Sequence, residues 1–195
     1  AAVLGIDAGT LRTRLTPLLD APTLEAWLDA SQLEYHSPAD ARSVAMPAGS
    51  IDTVFSSNVL EHVSAVDLAP LHREMRRLLR PGGLAVHRFN PQDHFAGGDR
   101  SITGSNFLQF SAQEWHALGG NGLAPHNRLR CVQHAQVVKA AGFDFAVART
   151  RPDPRARGAI ESGELRVHPD FAGMNPAELS DDYMWIAAHP SGAPC

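Results

Sequence analysis

The chain has 195 residues, enough for one domain of ordinary size, and its 44 % apolar and 19 % charged residues supply a core and exclude a disordered chain. A net charge of -4, from 17 basic and 21 acidic residues, excludes a protein that coats nucleic acid, which needs clustered positive charge. Cys131 and Cys195 make no disulfide framework or CxxC site, and the chain shows neither a membrane-length apolar run nor a basic-then-apolar leader, so a cytoplasmic protein off the membrane is expected.

Val3-Leu4-Gly5-Ile6, ending at Asp7, reads as a buried strand. Pro22 opens a helix with Leu24, Trp27 and Leu28 on one face, and Leu33 to His36 reads as a second strand. Ile51 to Ser56 is a β-branched strand after the turn Ala48-Gly49-Ser50. The strongest helix follows: Ser64 and Asp67 are spaced as a capping box, Leu68, Leu71, Met75, Leu78 and Leu79 recur at three- and four-residue steps, and Pro81-Gly82-Gly83 stops it. Leu84 to Phe89 is the next strand. Residues 90–106 form a polar, glycine-bearing loop, either ordered over a site or a mobile lid. Ser111 and Glu114 cap a short helix that Gly119-Gly120 ends. Leu129 to Ala141 is a helix with Val132, Val137 and Val138 inward, and Phe143 to Thr150 is a strand. Residues 151–163, with two prolines and Gly158, read as a loop, and Tyr183 to Ala188 as the last strand. The sum is a single α/β domain over residues 1–195. Its Rossmann-like, mostly parallel sheet is expected to have helices on both faces and a C-terminal antiparallel hairpin joined by a helix-free loop.

Residues 48–63, AGSIDTVFSSNVLEHV, resemble the fourth-strand region of class I S-adenosylmethionine-dependent methyltransferases of the type 11 kind. Residues 71–84, LHREMRRLLRPGGL, look like that family's next helix and its Pro-Gly-Gly turn into the fifth strand, and Ala141-Gly142-Phe143 resembles its entry to the sixth. The resemblance implies S-adenosylmethionine as cofactor and a small-molecule substrate. It also makes Asp40, with Ala41, the acidic tip that holds the adenine amino group, and it opens the cofactor cleft at Ser57, Asn58 and Val59. The pattern breaks at the front, where Gly5 and Gly9 are followed by Leu11 in place of a third glycine. Too few residues separate Gly9 from Asp40 for the family's helix-strand-helix-strand, so Val3 to Asp7 matches the second strand better than the first, with Asp7 as the ribose partner. The sheet is then incomplete on its N-terminal side. Three resolutions stand open: a longer protein upstream, a first strand with a double duty, or a second chain, as in a homo-oligomer.

Carboxyl ends of strands in such a sheet face the ligand crevice. His87 and Asn90 on and after the fifth strand, His62 after the fourth, and Arg128 before the next helix are therefore candidate substrate contacts. His94 is the candidate catalytic base, because an imidazole titrates near neutrality. The bland readings are a cap for Asn58, helix-capping polarity for Arg128 and a structural hydrogen bond for His94. No metal site is expected, since His87, Asp93, His94 and Asp99 match no zinc spacing. The alternative function is a methyltransferase-fold protein without cofactor binding that serves as a binding or assembly module.

Overall fold

The computed structural model describes residues 5, 7–119 and 126–192, and the chain divides into two compact units, Ala1–Asp40 and Ala41–Cys195. The first holds α1 (Ala8–Leu19) and α2 (Leu24–Ser31). The Asp7 carboxylate caps α1 by accepting from the Thr10 amide at 2.9 Å, and the Thr23 hydroxyl caps α2 by accepting from the Ala26 amide at 3.2 Å. Two expectations are corrected here. Pro22 precedes the Thr23 cap rather than opening α2, and Leu33 to His36 form no strand. The short run is apolar only at Leu33 and Tyr35, both exposed, so no core face selects an extended ladder. Of the expected first strand, Val3, Leu4 and Ile6 lie outside the described residues.

In the second unit the elements run β1 (Ile51–Ser57), α3 (Ala65–Leu78), β2 (Leu79–Phe89), α4 (Ala112–Gly119), α5 (Cys131–Ala140), β3 (Phe143–Pro152), α6 (Pro154–Ser162), α7 (Pro176–Ser180) and β4 (Asp181–Pro190). The sheet order is β1-β2-β4-β3, with β1 parallel to β2 and β4 antiparallel to both of its neighbours. Three strands therefore point one way, and the last is inserted against them between β2 and β3. This is a Rossmann-like α/β arrangement, incomplete at the β1 edge, and it includes the expected C-terminal antiparallel pair.

Strand β2 alternates cleanly. Ala85, His87 and Phe89 are buried on the face that receives α3 and α5, while Leu84, Val86 and Arg88 stand half-buried on the other. Along β1, Val54 packs into the core and Phe55, paired with Val86, is 69 % exposed on the opposite face. Helix α3 presents Leu68, Leu71, Met75 and Leu78 to the sheet at helical spacing, as its periodicity requires. The Ser64 hydroxyl, however, donates to the Asp67 carboxylate at 2.7 Å rather than accepting a backbone amide, so the capping box there is not formed. The box at Ser111 and Glu114 is formed in both directions, at 3.1 and 2.8 Å. Pairing of β2 begins at Leu79, five residues before the expected strand. Pro81-Gly82-Gly83 makes a bulge within it, and a Cβ on Gly83 would stand 2.9 Å from the Arg80 carbonyl oxygen.

Residues 151–163 are corrected from loop to strand end and helix. Asp153 accepts from the amides of Arg155 and Ala156 at 2.9 and 3.2 Å, Pro154 takes the first helical turn, and Gly163 closes α6 in the left-handed conformation. Proline and glycine here are the start and stop of a helix. With α7, capped by Asn175 and Glu178, α6 also replaces the helix-free connection expected between the last two strands. Residues between the helices pack with Phe107 and Leu108 as a second apolar cluster, in which Leu165, Phe171 and Leu179 are buried.

Candidate functional site

Because β1 and β2 are parallel neighbours, the segments leaving their carboxyl ends lie side by side, where open α/β sheets bind ligands. After Ser57 the chain turns sharply at Asn58, whose φ of +53° lies in the left-handed region that Asn tolerates. The Asn58 amide donates to the Arg88 carbonyl at 3.0 Å, which extends the β1–β2 ladder by one residue and leaves Val59 48 % exposed. Leu60–His62 then form a 3-10 turn. Asn127 pins that turn from across the site. Its side-chain amide donates to the carbonyls of Leu60 and Val63 at 2.8 and 2.7 Å, and its backbone amide donates to the Glu61 carbonyl at 2.8 Å.

On the β2 side, the Asp93 carboxylate accepts from the Phe95 amide at 3.0 Å and the Asn106 side chain at 3.2 Å, while the Asp93 amide donates to the Gly104 carbonyl at 2.7 Å. Residues 90–106 are thus an ordered loop tied at both ends, with His94 in its 3-10 turn. The Asn90 side chain accepts from the Gln92 amide at 3.2 Å and lies 3.4 Å from His94 Nε2.

The result is a cluster of three imidazoles. The rings of His62 and His94 are 5.0 Å apart, those of His94 and His126 4.5 Å, and those of His62 and His126 5.8 Å. Burial pushes His94 below the ordinary imidazole value, helped by the charge His62 would carry. His126 is pushed down to about 3 by burial and then by its two neighbours. Glu61 lies beneath them with no exposed surface, and neither carboxylate oxygen has a hydrogen-bond partner of proper geometry. Burial raises its carboxyl above the usual range, although the nearby amides of Glu61 and Asn90 favour the charged form. Donor atoms of Glu61, His62 and His94 all lie within 4.8 Å of one another, so these three could hold a metal ion.

The remaining sequence candidates are placed differently. His87 does not face the crevice: it is 1 % exposed, its Nδ1 meets the Ser56 hydroxyl at 2.8 Å, and its ring faces His72 at 5.4 Å in the core under α3. The strand's two-residue period turns it inward with Ala85 and Phe89. Arg128 is tied to the protein's own backbone. Its guanidinium donates to the carbonyls of Phe107 and Phe110, at 3.3 and 2.5 Å, and lies over Phe171. Asp7, read as the ribose partner, is engaged as the α1 cap, and Gly9 lies inside that helix. Asp7 and Asp40 belong to the first unit, whereas Ala41, Ser57, Asn58 and Val59 belong to the second. Among the four residues first weighed for a metal, His87 belongs to the core and Asp93 is committed to its loop. The partner of His94 that periodicity alone does not show is Glu61, buried although a glutamate is ordinarily exposed.

The family profile described as "Methyltransferase domain" matches residues 20–87. Among solved structures the chain resembles a [4+2]-cyclase, at 18 % identity over 87 % of this chain and 63 % of that one, with a TM-score of 0.48. It also resembles a candidate methyltransferase of Bacillus halodurans C-125, at 14 % identity over 83 % and 79 % of the two chains, TM-score 0.49. A third is a Haemonchus contortus phosphoethanolamine N-methyltransferase solved with phosphomonomethylethanolamine and S-adenosylhomocysteine, at 18 % identity over 78 % and 36 %, TM-score 0.43. No curated protein matches the chain. The chain therefore spans less than two thirds of the cyclase's length. Among the described residues no helix is long and apolar enough to cross a membrane. The matched segment, residues 20–87, runs through α2, β1 and α3 into β2 and includes the motif of residues 48–63.

Proposed function

We propose that the chain carries out S-adenosylmethionine-dependent methyl transfer to a small-molecule nucleophile. The observation that carries this reading is the match of residues 20–87 to the methyltransferase domain, which ends on the strand beside the cluster of His62 and His94. S-adenosylmethionine supplies an activated methyl group on sulfur. The exposed turn Ser57-Asn58-Val59 fits one wall of its cleft, because the left-handed backbone at Asn58 clears the ends of β1 and β2. The resemblance assigns Asp40 and Ala41 to the adenine end. On the acceptor side His62, His94 and Asn90 line the crevice, and neutral His94 brings a lone pair to the nucleophile. Positioning alone accelerates such an in-line displacement, so the fixed turns at Asn127 and Asp93 matter as much as any base.

Calorimetric titration of the chain with S-adenosylhomocysteine tests this reading: micromolar binding, weakened at least several-fold in Asp40→Ala, is expected. His94→Ala should lower turnover on the methyl acceptor and leave that affinity unchanged. A second reading has its own observation, the engagement of Asp7, the candidate ribose acid, as the α1 cap. On it the fold is retained without the cofactor, as a binding or assembly module, and absence of S-adenosylhomocysteine binding selects it.

A further inference from the structure

We infer that Glu61, His62 and His94 form a binding site for one divalent transition-metal ion of the zinc or iron(II) class. The first ground is the carboxyl of Glu61. It has no exposed surface and, among the described residues, no hydrogen-bond partner of proper geometry on either oxygen, and a carboxylate so placed is costly unless a proton or a cation meets it. The second ground is geometric. One donor atom from each of the three residues falls within 4.8 Å of the others, and donors sharing a tetrahedral ion at ordinary bond lengths stand about 3.4 Å apart, a difference that side-chain rotation covers.

The donor set selects the ion. Two imidazole nitrogens and one carboxylate oxygen suit zinc and iron(II), whereas magnesium and calcium take oxygen ligands. Three protein ligands leave a coordination position open for water or an oxygen of a bound molecule, the arrangement of a reactive site rather than a purely structural one. The supports are built in. Asn127 holds the turn that carries Glu61 and His62, and Asp93 closes the loop that carries His94. His126, half-buried, sets its ring 4.5 Å from that of His94. With an ion in place, His94 acts on a bound molecule through the ion. The site does not depend on S-adenosylmethionine and would stand if the chain proved to bind none.

The test uses the full chain stripped with a chelator and titrated with Zn2+ by calorimetry, and with Co2+ by absorption. One ion per chain is expected, with the visible bands of cobalt in a low-coordinate nitrogen–oxygen site. Glu61→Gln and His94→Ala should each weaken binding at least tenfold, while His116→Ala, on the exposed face of α4, leaves it unchanged. His94 is exposed, so its variant is expected to fold even if Glu61→Gln does not, and circular dichroism checks this. Absence of stoichiometric binding, or equal binding by wild type and His94→Ala, overturns the assignment. Titration with S-adenosylhomocysteine on the same samples reads the methyl-transfer proposal separately.

Discussion

A second set of histidines makes a quantitative prediction about stability. His72 on α3, His87 on β2 and His134 on α5 meet in the core, with His72 5.4 Å from each of the other two rings and His134 stacked on Phe89 at 4.4 Å. All three are at most 1 % exposed, and of their six ring nitrogens only His87 Nδ1 has a partner, the Ser56 hydroxyl. Burial pushes His72 down to about 3, His87 to about 4, and His134 well below the ordinary value. The folded chain keeps these rings neutral, whereas the unfolded chain protonates them below about pH 6.5. The unfolded state therefore binds more protons, and stability present above pH 6.5 is lost as pH falls toward the folded values. At pH 5 each ring accounts for about 2 kcal/mol of that loss, so the three together approach about 6 kcal/mol, comparable with the whole stability of a small domain. Glu61, Asp93 and Asp181, whose carboxyls burial raises, act in the opposite direction, so a variant difference is the clean readout. His134→Phe keeps a flat ring against Phe89 and removes one titrating group. Urea unfolding between pH 5 and 6.5 should show its stability falling with a slope about 1 kcal/mol per pH unit shallower than wild type. An unchanged slope refutes the reasoning.

Asn127→Ala removes two side-chain hydrogen bonds to the carbonyls of Leu60 and Val63, and is expected to cost about 1–3 kcal/mol in chemical denaturation and to weaken Zn2+ binding by displacing His62. Arg130 is 1 % exposed, donates to the carbonyls of Pro91 and Asp181, and is held down to about 10 by burial. Arg130→Ala should therefore destabilise by about 3–5 kcal/mol, read from the denaturation midpoint. Arg128→Ala should loosen the cluster of Phe107 and Phe171 by about 1–3 kcal/mol yet leave any acceptor KM unchanged, which separates a structural arginine from a substrate contact. Asp153→Ala should remove the α6 cap for about 1 kcal/mol, with a matching loss of helical circular dichroism.

Legibility in the sequence followed the kind of signal each segment carries. Residues 51–78, 84–89 and 143–150 carry a strong period and fold into the expected β1, α3, β2 and β3, although β2 starts before Pro81-Gly82-Gly83, the expected stop. The misreadings sit where local punctuation serves two structures. Asp153-Pro154 and Gly163 look like a loop when counted as breakers, yet in that order they are a cap, a first-turn proline and a left-handed stop. Leu33 to His36 has strand-forming residues but no buried face to select them, and Asp7 has a helix behind it that takes its carboxylate as a cap. In α5, Val138 is buried as its spacing implies, but Cys131 and His134 share the inward face, positions that a purely apolar count passes over.

The histidines show why the site was harder to read than the fold. His87 and His94 are seven residues apart on one continuous segment, yet one is a core side chain beside Ser56 and the other stands at the crevice beside Asn90. What separates them is the end of β2. Up to Phe89 a strict two-residue alternation sends odd-numbered residues inward, and once the ladder stops the Asp93 cap and the 3-10 turn set direction instead. The same rule explains Glu61, which no periodicity assigns to the interior because it lies in a three-residue turn whose placement comes from Asn127, 66 residues downstream. A site assembled from strand-end turns is specified by long-range hydrogen bonds between carbonyls and polar side chains. Those are the contacts that a one-dimensional pattern of apolar residues does not encode, so the residues worth mutating first are the ones holding the turns as well as the imidazoles they carry.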